Sequence, residues 1–191
     1  NLYSKYTMTP QQFKAELTKK QEELKRYVNV EFPKRAGNIS LRFINGNFRA
    51  QGWQGQSFRR WQENARKGTI LIRKGRLRRG TKYTTSSGVT RVYNDVPYAS
   101  AHNRGFNGTV TVKAHQRRNY VGIKQATGRL TKAGKLQMRT VHGVKSISQV
   151  KAHTRKMNIP KRQFMPENMT DSPVLYNAVR REIERTFKTI F

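Results

Sequence analysis

The sequence predicts an α+β fold: N- and C-terminal helices packed on a small antiparallel sheet, with a long basic β-hairpin-like insertion. Three observations predict it. Apolar residues recur at helical spacing near both ends, as Phe13, Leu17, Leu24, Val28 and as Leu175, Val179, Ile183, Phe187. Between the ends lie short β-branched runs punctuated by glycine. The tetrapeptide Val-Lys-Ala-His occurs twice, at 112–115 and 150–153, inside a segment without an acidic residue.

The elements follow in order. The start, NLYSKYTMTP, is too polar for a secretory signal. Thr9-Pro10 opens a helix over about residues 9 to 28, with Thr9 as N-cap and Pro10 at the first helical position. Pro33 is expected to stop or kink it. A second helical stretch is expected over 35 to 50, anchored by Ile39, Phe43 and Phe48 and weakened by Gly37 and Gly46. GWQGQSFRRWQ then places Trp53 and Trp61 on a glycine-punctuated loop, as core or subunit anchors rather than base-stacking platforms. GTILIRKGRLRRG interleaves Ile70, Leu71, Ile72 and Leu77 with arginine and lysine. TKYTT and VTRVYN form a hairpin around Ser87-Gly88. VPYASAHNRGF reads as a short helix or turn closed by Gly105.

Thr109 to Lys113 alternates as a strand, and the second copy of the repeat does the same. The two strips are expected to pair antiparallel as an extended hairpin. Their connection carries Gly122, Gly128, Gly134 and Gly143, so its tip is expected to be mobile. IPKRQFMP is extended, because Pro160 biases Ile159 away from helix. Asp171 or Ser172 caps a terminal helix with Pro173 in its first turn and an apolar stripe that ends at Ile190. The expected division is a core of residues 1–106 and 158–191, with a basic extended arm at 107–157.

Charge is the strongest functional signal. The formal net charge is +30, from 40 Lys and Arg against 10 Asp and Glu. Asp95 is followed by no acid until Glu167. Between them lie Arg104, Lys113, Arg117, Arg118, Lys124, Arg129, Lys132, Lys135, Arg139, Lys145, Lys151, Arg155, Lys156, Lys161 and Arg162. A solvated face ordinarily mixes signs, because opposite neighbours lower the self-energy. An unmixed one either repels itself as a mobile arm or lies against phosphate or an acidic partner; the unbalanced field favours the second. The expected contacts are Lys113, Arg117, Arg118, Lys124, Arg129, Lys132, Lys135, Arg139, Lys151, Arg155 and Lys156.

Catalytic constellations are scarce. The chain has no Cys, so disulfides, thiolate metal sites and Cys nucleophiles are excluded. The imidazoles, His102, His115, His142 and His153, have no carboxylate or thiol near them in sequence, which makes a poor metal site. GRLRRG lacks the spacing and the Lys-Ser/Thr end of a phosphate loop. AHNRG has a nuclease-like His-Asn pair but no metal-binding acid beside it. No cofactor and no catalytic activity are expected. No apolar run is long enough to span a membrane.

The order of motifs resembles the phage virion morphogenesis family, the tail-completion or neck proteins of tailed bacteriophages. The matching residues are Gly52, Trp53 and Trp61; Ile70, Leu71, Gly75, Leu77 and Arg78; Tyr98, Ala99, His102 and Gly105; and Pro160, Arg162 and Phe164. They cover about residues 40 to 106 and 158 to 190. RKGRL departs from the Thr often found before that glycine, and the basic insertion has no counterpart in the pattern. The resemblance implies a non-enzymatic α+β subunit of a homo-oligomeric ring, of six or twelve copies, at the head–tail neck or tail end of the virion. It implies synthesis in the host cytoplasm, contact with portal, connector or tail proteins, and DNA passing non-specifically through the lumen. Under it, Trp53, Trp61 and His102 pack or hold an interface. The competing class is a cellular ribosomal-type RNA- or DNA-binding protein; a nuclease comes third.

Overall fold

The computed structural model describes residues 8–64 and 68–191. Asn1–Thr7, most of the stretch read as too polar for a signal, lies outside them. The architecture is mixed helix and strand with small antiparallel sheets and terminal helices. The chain divides into two compact units, one spanning Asn1–Phe106 and Ile159–Phe191, the other Asn107–Asn158.

In the first unit, α1 (Pro10–Arg26) opens on the expected cap. Thr9 Oγ1 accepts from the Gln12 amide, and Gln12 Oε1 accepts from the Thr9 amide. At Pro33, expected to stop or kink the helix, the helical run does not stop. The chain passes through a π turn, Tyr27–Glu31, directly into α2 (Phe32–Ala50). The Phe32 amide reaches back five residues to the Tyr27 carbonyl. That widened turn gives Pro33 room for its ring at the start of α2, where its missing N–H is tolerated. The same turn rotates Tyr27 inward, to 3% exposure, and leaves Val28 and Val30 outside.

The expected stripe of α1 is not covered. Phe13, Leu17 and Val28 are exposed, only Leu24 is half-buried, and no residue of α1 is fully buried. α2 keeps its anchors: Phe43 and Phe48 are buried and Ile39 packs beside them. Gly37 has a structural reason, since a Cβ there would run into the Tyr83 ring. The gap costs helix propensity and lets the next hairpin lie close.

The tryptophan segment is a small hairpin rather than an irregular loop. β1 (Gly52–Gln54) pairs antiparallel with β2 (Phe58–Arg60), Trp53 opposite Arg59. Trp53 and Trp61 both enter the core. Trp53 meets Phe43 edge-on at 5.4 Å; Phe48 meets Trp61 at 5.6 Å and Phe164 at 5.2 Å. Ile70, Leu77, Val96, Ala99 and Leu175 complete this cluster. A one-turn helix α3 (Arg76–Arg79) starts at Gly75, whose φ of +71° suits glycine. β3 (Thr81–Ser86) and β4 (Val89–Asn94) form the hairpin turned at Ser87-Gly88. α4 (Ala99–Arg104) closes on Gly105, as expected. The terminal helix α5 (Pro173–Ile190) is capped by Ser172, whose Oγ accepts from the Leu175 amide and donates to the Gln54 carbonyl at 2.6 Å. Its stripe is buried at Leu175 and Ile190, but Phe187 is 40% exposed.

The second unit is a two-stranded ribbon with a break. β5 (Phe106–Val112) pairs with β8 (His153–Ile159), and β6 (His115–Leu130) pairs with β7 (Leu136–Val150). The expected strand at 109–113 therefore stops one residue early, at Val112. The glycine-bearing connection is mostly paired up to its tip: Gly122 lies opposite His142, and Gly143 opposite Val121. Only Thr131–Lys135 turns the ribbon, closed by Thr131 N–H to the Lys135 carbonyl.

The aromatic cluster sets the stability of the first unit. Phe48→Ala should cost about 3–5 kcal/mol in denaturant unfolding. Phe13→Ser, at an exposed position, should stay within about 0.5 kcal/mol.

Candidate functional site

Two places in the molecule concentrate functional chemistry. The first is the ribbon. The two repeats occupy equivalent places on it. In each copy the valine ends a strand, Lys-Ala forms the break, and the histidine opens the next strand. His115 lies opposite Val150. His115 Nδ1 sits 3.0 Å from the Lys113 carbonyl, and His153 Nδ1 sits 2.9 Å from the Lys151 carbonyl. The copies thus meet at the break, in an antiparallel ribbon as expected, and the ribbon runs away from it in both directions. Both strands change sheet at one point, so both need the same local chemistry there. The repeat is the sequence record of an antiparallel corner.

All eleven cations expected as contacts, Lys113, Arg117, Arg118, Lys124, Arg129, Lys132, Lys135, Arg139, Lys151, Arg155 and Lys156, are exposed. With Lys145 they give the Asn107–Asn158 unit twelve cations and no acid. Six cluster at the corner: Lys113, Arg117, Arg118, Lys151, Arg155 and Lys156. Their side chains find only neutral neighbours, such as Arg117 Nε to Asn119 Oδ1 at 3.2 Å. Beyond the corner the ribbon changes character. On one face Tyr120 lies opposite Val144 and Ala126 opposite Met138; on the other Ile123 lies opposite Val141. Tyr120, Val121, Ile123, Met138, Val141 and Val144 are all exposed. A lone two-stranded ribbon is marginal in water unless a face is covered. Here neither face is.

The second place is where the ordered motifs of the sequence converge in the first unit. Trp53, Trp61, Leu77, Ala99 and Phe164 are buried together, with Leu71 packed against them. Arg162 is also buried, and its backbone N–H donates to the His102 carbonyl at 2.8 Å. Its Nε and Nη2 donate to the Gln62 and Glu63 carbonyls at 2.9 and 3.1 Å. His102 is half-buried and edge-on to Tyr98 at 5.8 Å. Burial, and then the nearby Arg162 charge, hold its imidazole below the ordinary value of 6.5. Gly105, at φ +82°, lets the backbone at Ile159 and Lys161 approach within 3.1–3.3 Å of where a Cβ would be. Gly75 and Pro160 are half-buried, and Tyr98 is 44% exposed.

Asn103, marked in the sequence only as half of a nuclease-like His-Asn pair, belongs to this region with Asn47 and Asn64, which no sequence signal marked. Asn103 Oδ1 accepts from the Phe164 and Met165 amides at 3.0 and 2.9 Å, and so fixes the IPKRQFM segment. Asn47 Nδ2 donates to the Phe164 carbonyl, while its Oδ1 accepts from the Gln54 amide. Asn64 joins His102 in lining one cavity. Isolated asparagines such as Asn47 and Asn64 carry no spacing signal, and the AHNRG motif pointed Asn103 toward metal chemistry rather than toward holding a backbone segment.

Among the described residues no three His, Asp or Glu side chains gather where a metal could sit. Among them, too, no helix is long and apolar enough to cross a membrane. Comparison with protein-family models, with curated proteins and with solved structures finds no match.

The lowered His102 value has a stability consequence. Below about pH 6.5 the unfolded imidazole takes a proton that the folded one resists. The stabilising contribution is therefore complete above that pH and is lost as pH falls toward the folded value. Denaturant unfolding of the wild type should weaken with acidification from pH 7, and His102→Gln should flatten that part of the profile.

Proposed function

We propose that this chain is a structural, non-enzymatic subunit of a larger assembly, and that its ribbon is neutralised there by nucleic acid. The observation that carries the reading is the corner: six cations from two copies of one motif, on an acid-free unit, with no carboxylate to pair them. Such a surface binds phosphate diffusely, through charge, without reading bases.

The ribbon beyond the corner supports assembly with protein as well. Nucleic-acid interfaces are polar and positively charged. Exposed Ile123, Val141 and Val144 on opposite faces are an aliphatic surface of the kind protein contacts cover. The uncovered α1 stripe of Phe13 and Leu17 is a second such surface, in the first unit. A subunit with two separate apolar patches is equipped to contact different neighbours, as members of a closed ring do.

The form of assembly we favour is the homo-oligomeric ring at the neck or tail-completion interface of a tailed phage virion, surrounding the DNA path. The order of the tryptophan, Gly-x-Leu-Arg, Tyr-Ala-x-x-His and Pro-x-Arg-x-Phe motifs is the support for it. The convergence of those motifs on one core and one adjoining cavity fits a shared fold requirement rather than scattered coincidence.

Duplex DNA should bind with steep salt dependence, about −0.9 in log–log slope per phosphate contact. Replacing Lys113, Arg117, Lys151 and Arg155 with Gln should lower the slope by about 0.9 for each contact removed. Binding that prefers one folded RNA over duplex DNA at every salt concentration would favour the cellular RNA-binding class instead. Deleting residues 116–149 should leave the first unit folded and abolish docking of the subunit into particles; normal docking and unchanged DNA retention would defeat the ring proposal.

A further inference from the structure

One cavity of the first unit holds chemistry that the ribbon reading does not use. It measures about 440 Å³ and is lined by Arg73, Lys74, Arg76 and Arg162, with no carboxylate in its wall. Arg162 is 7% exposed, and its described bonds go to backbone carbonyls alone. Buried charges are ordinarily paired, because an isolated one pays a desolvation penalty that carbonyl dipoles only partly offset. This guanidinium has no carboxylate partner among the described residues.

A second, independent observation points into the same space. Two solvent-shielded side-chain atoms lack a hydrogen-bond partner among the described residues, Asn64 Oδ1 and His102 Nδ1. Both residues line this cavity. An unmet buried polar atom costs about 1–3 kcal/mol. Two in one cationic pocket indicate a missing polar group rather than chance. A third observation is backbone strain: Leu71, also in the wall, has φ +59°, where a residue with a Cβ is uncommon.

We propose that this cavity is an oxyanion site that takes a phosphate group, with Arg162 supplying the charge and His102 and Asn64 orienting it. The choice of phosphate follows from the asparagine. Its Oδ1 can only accept, so the ligand must offer a proton as well as negative charge. Inorganic phosphate keeps at least one P–OH near neutral pH. Sulfate and a carboxylate do not. His102, kept neutral by burial, has one ring nitrogen free to meet a second oxygen. The site is separate from the ribbon and stands whether or not the ribbon binds nucleic acid.

The experiment is calorimetric titration of the full chain with inorganic phosphate and with sulfate at matched ionic strength, beside NMR titration of the His102 imidazole. Phosphate should bind saturably and about tenfold or more tighter than sulfate, and it should raise the pH at which His102 titrates. Asn64→Ala and His102→Phe, each of which removes one unmet polar atom, should unfold with midpoints no lower than the wild type's in phosphate-free buffer. Asn64→Ala should bring phosphate down to the sulfate level. Glycerol 3-phosphate in a parallel titration at about pH 5.5, below the second pKa of a phosphomonoester at about 6 so that it too keeps a P–OH, separates the sources: displacement of inorganic phosphate assigns the site to the end of a larger phosphomonoester, and failure to displace assigns it to the free ion. Equal affinity for phosphate and sulfate, unaffected by Asn64→Ala, would reduce the effect to the general pull of a cationic surface and overturn the site. Should a variant fail to fold, an unmoved His102 resonance in the wild type overturns it equally.

Discussion

The constraint on which the molecule depends is the segregation of its charge. All ten acids lie in the first unit, and so do all the ion pairs among the described residues. There they do ordinary work: Glu182 ties Arg35 of α2 and Arg185 of α5 together at 2.6 and 2.8 Å. The ribbon receives none. Sequence neighbours such as Arg117 and Arg118 repel each other at a range shorter than the Debye length, about 8 Å at physiological salt, where screening is only partial. A two-stranded ribbon has little burial to set against that cost. Its twelve charges are therefore better explained by what lies against it than by what holds it together.

That view also gives the repeat a physical meaning. An antiparallel ribbon whose pairing is interrupted at one point must interrupt both strands at the same height. Val-Lys-Ala-His appears twice because the two strands meet one problem from opposite directions. The device that resets each strand, a histidine ring nitrogen beside the carbonyl two residues back, is the same in both. One consequence is that six of the twelve cations gather at the break, while beyond it the other six are interspersed with the exposed apolar side chains.

Much of this fold was legible in the sequence, and the exceptions have identifiable causes. Thr9-Pro10, Ser87-Gly88, Gly105 and Ser172-Pro173 are local signals whose chemistry needs no distant partner, and each marks the element it was expected to mark. The helical run does not stop at Pro33 because a π turn, which leaves no compositional trace, absorbed the proline. The tryptophan hairpin was missed because its strands, Gly52–Gln54 and Phe58–Arg60, are too short to show alternation. The α1 stripe misled in another way: period alone says that a face is apolar, not that this chain covers it. For the candidate sites, the cationic ribbon was readable from acid placement. The cavity was not, since Asn64, Leu71, His102 and Arg162 are brought together only by the tertiary fold.

Hydrogen exchange of the full chain, with and without duplex DNA at low salt, tests the central claim most directly. Neutralisation of the ribbon predicts slowed exchange concentrated in the paired amides of 115–118 and 153–156, on either side of the break, while the buried amides around Phe48 stay as they were. Slowing spread evenly over both units, or none in the ribbon, would contradict it.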